Sequence, residues 1–121
     1  MDIKEIIDYS IKNNGITLNV NLERINAKNG FMISITNFEI VLPCDKFNEE
    51  ITKQFITDMI KQINILGSKN HYIGIFINDN KIYFDISIRI LEFENALKIG
   101  KENDQIAIWD NARMQEIILK R

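Results

Sequence analysis

Several residue types that carry chemistry or covalent cross-links are nearly absent from this chain of 121 residues. It has one cysteine, one histidine, one proline and five scattered glycines. A single cysteine excludes an internal disulfide framework, and one cysteine with one histidine cannot build a zinc cluster. Because the glycines stand singly, the chain also lacks a glycine-rich loop that could cradle phosphate groups. We therefore expect no metal and no cofactor.

Long apolar runs and clustered positive charge are missing as well. No apolar stretch approaches the ~20 residues of a transmembrane helix, and the opening residues MDIKEIIDYSIKNN are more charged than a signal peptide. We therefore expect a complete cytoplasmic protein that has no membrane partner. The formal net charge of −2 and the dispersed lysines and arginines disfavour nucleic acid as a partner, because nucleic acid is held through clustered basic side chains.

What the sequence does contain in abundance is isoleucine, with 26 copies, and asparagine, with 15. Together with 11 lysines against 4 arginines, this usage is typical of an AT-rich coding sequence. An individual isoleucine or asparagine therefore carries little functional weight. The hydrophobic fraction of 45% is sufficient for one independently folded domain over residues 1–121.

The stretch from His71 to Ile88 predicts a β-hairpin closed by a two-residue turn at Asp79 and Asn80. This turn sets a register in which Gly74 faces Asp85. Because side chains alternate along a strand, the register separates two faces. One face carries Ile73, Ile75, Ile77, Ile82, Phe84 and Ile86. The other carries Tyr72, Gly74, Phe76, Tyr83, Asp85 and Ser87.

Hydrophobic periodicity predicts three helices and five more strands around the hairpin. The helices are expected at residues 2–14, from 45 or 48 to 66, and at 92–103. The strands are expected at residues 16–22, 31–36, 38–42, 105–110 and 114–119. The resulting order, α-β-β-β-α-β-β-α-β-β, predicts an α+β fold with a mostly antiparallel sheet. The chain either turns tightly or bulges at Asn37.

Polar and glycine residues predict where the helices begin and end. Asp2 and Glu5 have the spacing of a capping box, so they predict the start of the first helix. Gly15 and Gly67 are candidates for the left-handed residues that end the first and second helices. Pro43 lacks an N–H group and predicts the end of the first sheet segment.

The second face of the hairpin is the main candidate for a binding surface. Tyr72, Phe76 and Tyr83 surround the gap that Gly74 leaves opposite Asp85. If exposed, this face would present aromatic side chains around a carboxylate, which suits a protein partner. The alternative, favoured by the wide apolar helix faces, is that a helix covers this face and Asp85 hydrogen-bonds a neighbouring backbone group.

Trp109 and Asp110 complete the set of candidate binding residues. The alternation of the strand at 105–110 places Ile106 and Ile108 toward the core and Trp109 away from it. Tryptophan is enriched among interface hot spots, although a lone tryptophan is more often a packing residue. We therefore consider binding and packing as alternatives for this end of the strand.

The sequence contains no motif for catalysis. Cys44 and His71 are the one conceivable pair of nucleophile and base, but they lack a third, orienting group. Asp85, Asp110 and Glu39 could in principle bind a hard cation, yet nothing in their spacing brings them together. We therefore predict that the protein is not an enzyme and has neither catalytic nor metal-binding residues.

Three ordered segments carry a resemblance to a group of proteins. They are GFMISI at residues 30–35, HYIGIFINDNKIYFDIS at 71–87 and ALKIGKENDQIAIWD at 96–110. The series resembles small proteins of phages, prophages and conjugative elements of low-GC Gram-positive bacteria, over most of the chain beyond residue 30. The matching positions are Gly30, Phe31, Met32, Tyr72, Gly74, Tyr83, Asp85, Ser87, Gln105, Ala107, Trp109 and Asp110. The resemblance implies a mobile-element origin and no particular activity.

Small acidic proteins of such elements often bind a host protein and block it, including CRISPR nucleases. We therefore expect an accessory protein that binds a host protein and could inhibit a defence nuclease, as anti-CRISPR proteins do. Acidic helix faces could compete for the basic channel of such a nuclease. The alternative is a nucleic-acid-associated accessory protein for replication or transfer, with sheet aromatics stacking on bases. An open sheet edge would also allow a homodimer.

Overall fold

Seven antiparallel strands and three helices are present in a computed structural model that describes residues 1–35, 39–67 and 69–120. The helices are α1 (Ile3–Asn13), α2 (Glu49–Leu66) and α3 (Phe93–Glu102). The strands are β1 (Gly15–Leu18), β2 (Phe31–Ser34), β3 (Ile40–Pro43), β4 (His71–Asn78), β5 (Lys81–Ile90), β6 (Ala107–Asp110) and β7 (Gln115–Ile118). The predicted α+β order is confirmed, and a short 3-10 turn follows β3.

The predicted hairpin is formed by β4 and β5, and its register is confirmed. Gly74 lies opposite Asp85 across the two strands. Asp79 and Asn80 form the turn with φ values of 51° and 61°. Both residues thus adopt the left-handed conformation that a two-residue turn requires, and Asn and Asp tolerate this conformation better than most residues.

The rest of the sheet is arranged around this hairpin in the order β1-β4-β5-β2-β6-β7, with β3 also paired to β5. β2 and β3 lie end to end along one edge of β5. Ser34 of β2 pairs with Ser87, and Ile40 of β3 pairs with Phe84, so Asp85 and Ile86 of β5 lie between the two pairings. The expected turn or bulge at Asn37 falls in residues 36–38, outside the described residues.

The three helices pack on the isoleucine-rich face of the sheet. α1 contacts β1 and β4, α2 contacts β4 and β5, and α3 contacts β2, β5 and β6. The main core comprises Ile6, Ile16, Leu18, Ile56, Met59, Ile63, Ile73, Ile75, Ile82, Phe84 and Ile86. A smaller cluster of Ile33, Ala96 and Ile108 lies at α3.

The other face of the sheet, which we term the helix-free face, is covered by none of the helices in the described residues. The prediction that a helix covers the second face of the hairpin is therefore wrong. The physical reason is the polarity of this face, which includes Thr17, Ser34, Asp85 and Ser87. An amphipathic helix buries its apolar stripe more favourably against the isoleucines on the opposite face.

The connection from β1 to β2 crosses the helix-free face. β1 is at the edge of the sheet, and β4 and β5 separate it from β2. At the start of the crossing, the N–H of Ile25 donates to the carbonyl of Thr17. Near its end, the carbonyl of Asn29 accepts a hydrogen bond from the Arg89 side chain. Residues 25–30, the crossing segment, therefore cover part of this face.

The predicted capping box of α1 is confirmed, but its predicted end is wrong. The Asp2 carboxylate accepts a hydrogen bond from the N–H of Glu5, and the Glu5 carboxylate accepts one from the N–H of Asp2. At the other end, Asn14 adopts the left-handed conformation, with a φ of 62°, and Gly15 already begins β1. Asparagine takes this role because it tolerates a positive φ.

The first strand is shorter than predicted. β1 ends at Leu18 rather than Leu22, because the Asn19 side chain accepts hydrogen bonds from the N–H groups of Asn21 and Glu23. Such a local hydrogen bond from asparagine to the backbone turns the chain. The alternation of aliphatic residues predicts a longer strand, but the hydrogen bonds of the Asn19 side chain end β1 four residues earlier.

The ends of the other helices agree with the sequence. Asn48 caps α2, and Gly67 ends it with a φ of 105°. On α3, Ala96 and Gly100 are buried, as their spacing predicts. A Cβ atom on Gly100 would lie 2.6 Å from Leu119 Cδ1 and 2.9 Å from Ile108 Cγ2, so the helix approaches the sheet closely there. None of the helices in the described ranges is long and apolar enough to span a membrane.

Candidate functional site

A cleft of about 1020 Å³ opens on the helix-free face, and we term it the Asp85 cleft. Its size lies at the upper end of the range of sites that hold small molecules. Side chains and backbone of four strands form its floor, namely Thr17, Met32, Ser34, Gly74, Asp85 and Ser87. The crossing segment, Phe76 and Trp109 contribute to its walls, and Tyr9 and Asn13 at the end of α1 also line it.

The depth of the Asp85 cleft comes from a divergence between β2 and β6. These strands pair at only two positions, Phe31 with Asp110 and Met32 with Trp109. Continuing the same register would pair Ser34 with Ala107, but both residues instead line the cleft. The gap between the strands therefore extends the cleft toward the core, where Ile108 is buried.

Asp85 lies at the floor of the cleft and is only 6% exposed. The hydroxyl of Ser34 donates a hydrogen bond of 2.7 Å to its Oδ2 atom. Its Oδ1 atom lies over Gly74, at a position that a Cβ atom on Gly74 would overlap. The glycine thus makes room for the carboxylate, as the hairpin register predicts. Among the described residues the hydrogen-bond partner of Asp85 is a serine on β2 and not the expected backbone group.

The carboxyl of Asp85 has no cationic partner in the described part of the chain. Burial raises the pKa of Asp85 to about 6, because the charged form loses hydration. The hydrogen bond from Ser34 lowers this pKa, and the negative charge of Glu39 raises it. At neutral pH the cleft therefore holds a largely ionised, buried carboxylate to which the described residues supply one hydrogen-bond donor and no counter-ion.

The aromatic candidates share the helix-free face, but only two of them line the cleft. Phe76 and Trp109 do so, and each is 40% exposed. Tyr83 stacks on Phe76, with ring centroids 4.4 Å apart, and is half-buried. Tyr72 is also half-buried and lies opposite Ser87 on the same face. Four predicted residues, Tyr72, Phe76, Tyr83 and Asp85, are thus brought together by the hairpin, and β6 adds Trp109.

Asp110 is not part of this group. It shares the Ile108 side of β6, and its Oδ1 atom accepts hydrogen bonds from the N–H groups of Ala112 and Arg113. The Arg113 guanidinium lies 3.9 Å from the other carboxylate oxygen. The buried carboxylate of Asp110 therefore stabilises the turn between β6 and β7, which explains its burial without a ligand.

Several cleft residues are absent from the sequence-based set. They are Thr17, Met32, Ser34, Glu116 and the residues of the crossing segment. Ile33 is a core residue, and alternation along β2 places the next side chain, Ser34, on the other face of the sheet. The position of Ser34 on the polar face is therefore predictable. Its contact with Asp85 is not, because that contact requires β2 to pair with β5 across 51 residues of sequence.

The structure separates the residues considered for catalysis and metal binding. The N–H of Cys44 donates to the carbonyl of Asn80, at the turn of the hairpin, whereas His71 begins β4 at the opposite end. An eight-residue strand separates these ends by roughly 25 Å. Glu39 and Asp85 both line the cleft, but within the described residues no three His, Cys, Asp or Glu side chains could hold a metal ion.

Comparisons with protein-family models, with curated proteins and with solved structures find no match for this chain. The candidate site therefore depends on the geometry of the chain alone. That geometry combines a buried carboxylate, exposed aromatic walls and a cleft on a sheet face that carries no helix of the described residues.

Proposed function

We propose that this protein is a non-enzymatic accessory protein of the cytoplasm that binds a partner protein through its helix-free face. The observation that carries the proposal is the exposure of Phe76 and Trp109 on this face, on either side of the Asp85 cleft. Interface cores are enriched in aromatic residues, and their hot spots lie next to pockets. The face therefore has the composition of a binding surface.

The resemblance to phage and mobile-element proteins supports a host protein as the partner. Asp85, Glu39 and Glu116 give the cleft three carboxylates. A negative surface complements the basic channel in which a nuclease holds nucleic acid. We therefore propose a bacterial defence nuclease as the target and inhibition of the anti-CRISPR type as the outcome.

The same features argue against the alternative of nucleic-acid binding. The three carboxylates would repel phosphate groups, and the rings of Phe76 and Tyr83 stack on each other. Arg24 is held by Tyr9, because its guanidinium lies 4.9 Å from the ring centroid and donates to the phenol oxygen. Stacking platforms for single strands combine open aromatic faces with a positive groove, and this face lacks that combination in the described residues.

A capture experiment with matched variants tests the proposal. The tagged chain is used to capture proteins from the bacterial host, which mass spectrometry identifies, and the purified partner is then titrated against each variant. A Phe76→Ala/Trp109→Ala double variant should weaken binding at least ~10-fold, the loss that hot-spot residues produce. Ile65→Ala is the control, since Ile65 is 77% exposed on α2, on the other side of the sheet.

Equal binding by both variants would place the interface elsewhere on the molecule. Capture of nucleic acid alone, with an affinity that falls steeply as salt increases, would support the alternative function.

A further inference from the structure

We propose that the Asp85 cleft receives one basic side chain, a lysine or an arginine, of the partner protein. This inference rests on the proposed function and specifies the chemistry that the partner must present. The group that anchors it is the Asp85 carboxylate, which is 6% exposed at the floor of the cleft.

The first step concerns the unpaired charge. Ser34 donates to one oxygen of the Asp85 carboxylate, and the other oxygen accepts no hydrogen bond from the described residues. That second oxygen is not among the fully buried atoms that lack a partner, so it keeps some exposure to the cleft. Removing a carboxylate from water is unfavourable unless a cation or several donors replace the lost hydration. A cation that enters the cleft would supply both the charge and the missing donors.

The second step concerns the other charges of the cleft. Glu39 and Glu116 are acidic, and the basic residues are Arg24 and Lys28. Arg24 is engaged by Tyr9, and neither basic side chain lies within ion-pairing distance of Asp85. The field in the cleft therefore favours a positive ligand over a negative one.

The third step concerns the shape of the ligand. Met32, Ile108 and Trp109 provide apolar surface in the cleft beside the carboxylate. Lysine and arginine bury their methylene chains along such surface while their charged groups meet a polar partner. A tryptophan ring adds an attraction for the cation when the two come close. An aliphatic chain with a terminal cation therefore matches the unpaired carboxylate, the acidic charges and the apolar lining of the cleft.

The test is an NMR titration of the labelled full chain with blocked amino acids. The probes are N-acetyl-lysine methylamide, N-acetyl-arginine methylamide and the uncharged analogue N-acetyl-norleucine methylamide. We expect saturable shifts of the amides of Ser34, Gly74 and Asp85 with the two cations, and at least ~10-fold weaker binding of norleucine, as expected for a charge-assisted contact. The comparison among probes uses the wild-type chain, so it does not depend on the folding of a variant.

Two substitutions assign the effect to the carboxylate. Asp85→Asn should weaken binding of the cations at least ~10-fold, the effect of losing a charged partner. Asp58→Asn, on the exposed surface of α2, should leave binding unchanged. Equal affinity for norleucine and lysine, or no binding of any probe, would overturn the inference. Much tighter binding of free spermidine than of either amide would also overturn it, because the ligand would then be a polyamine.

The outcomes separate this inference from the proposed function. If a partner is captured through Phe76 and Trp109 but the cationic amides do not bind, the proposed function stands and the inference fails. If the amides bind but no partner protein is captured, the proposed function fails, and with it the assignment of the cation to a partner.

Discussion

Gly74 and Asp85 form a cross-strand pair in which one residue makes room for the other. A side chain at position 74 would occupy the space of the Asp85 carboxylate, which has only Ser34 as a hydrogen-bond donor among the described residues. The buried acid thus depends on two neighbours of different kinds, one absent side chain and one hydroxyl. Both dependences can be measured through the stability of the protein.

The first prediction concerns the pH dependence that Asp85 causes. Its pKa in the folded state, about 6, lies above the ordinary value of the unfolded chain. Protonation therefore stabilises the folded state fully below pH ~4, and this stabilisation is lost as the pH rises through about 6. The free energy of unfolding of Asp85→Asn, relative to wild type, should therefore increase by about 2 kcal/mol between pH 4 and 7.

Urea denaturation of both proteins at pH 4, 5, 6 and 7 measures this difference. Asp58→Asn provides the control for the loss of one carboxylate from an exposed site. A difference between Asp85→Asn and wild type that stays constant with pH would show that the carboxyl of Asp85 is not affected by burial.

The second prediction concerns the space above Gly74. Gly74→Ala should lower the free energy of unfolding by about 1–3 kcal/mol, the usual cost of overpacking, because the new Cβ atom overlaps the Asp85 carboxylate. In an Asp85→Ala background the same substitution should cost less than about 1 kcal/mol, since the obstructing group is gone. Urea denaturation of the two single variants and the double variant gives the coupling. Equal costs in both backgrounds would contradict the proposed steric pair.

At the scale of elements, the hairpin is the part of the fold that the sequence predicts best. Its turn and register are local, because they depend on Asp79, Asn80 and the alternation on both sides. The ends of β1 and α1 were predicted less well, because Asn19 and Asn14 replace the expected strand and glycine cap. At Asn19 a side chain that bonds the backbone outweighs the hydrophobic pattern of several residues, whereas Asn14 ends α1 because its backbone tolerates a positive φ.

The third prediction tests the turn of the hairpin. Asn80 has a φ of 61°, a conformation that glycine adopts easily and β-branched residues resist. Asn80→Val should destabilise the protein by about 1–2 kcal/mol, whereas Asn80→Gly should change stability by no more than about 0.5 kcal/mol. Asn78→Val at the exposed end of β4 is the control for adding valine. Thermal or urea unfolding measures all three, and equal effects at positions 78 and 80 would contradict a left-handed turn.

The fourth prediction tests the edge of the sheet. The N–H of Leu119 donates to the carbonyl of Ile106, so alternate residues of β7, including Ile117, bond to β6. The N–H of Glu116 then points away from the sheet. Glu116→Pro should cost less than about 1 kcal/mol, whereas Ile117→Pro should cost about 3 kcal/mol, because it breaks the ladder and leaves a carbonyl of β6 unpaired. Ile117→Ala separates the loss of side-chain packing, and equal costs for both prolines would contradict this register.

At the scale of the whole molecule, the site depends on features that no local pattern predicts. The helix-free face exists because α1, α2 and α3 all pack on the isoleucine-rich face of one sheet. The cleft then requires the divergence of β2 from β6 and the passage of the crossing segment over β4 and β5. The hairpin supplies Phe76 and Asp85 from sequence alone, but Ser34 and Trp109 reach the same cleft only through long-range strand pairing.

The last prediction concerns self-association through the outer edge of β7. Two copies can pair antiparallel about a two-fold axis only if residues of the same face meet. An axis at Ile117 satisfies this condition by pairing Glu116 with Ile118, whereas an axis at Glu116 would oppose two carboxylates.

A four-residue edge buries far less than the roughly 1,000 Å² of a stable interface. We therefore expect a monomer at about 10 μM and reversible association only near 1 mM. Sedimentation velocity measures both, and Glu116→Pro should abolish the association. A dimer at low concentration that survives this substitution would place the contact on another surface, and the helix-free face would be the next to test.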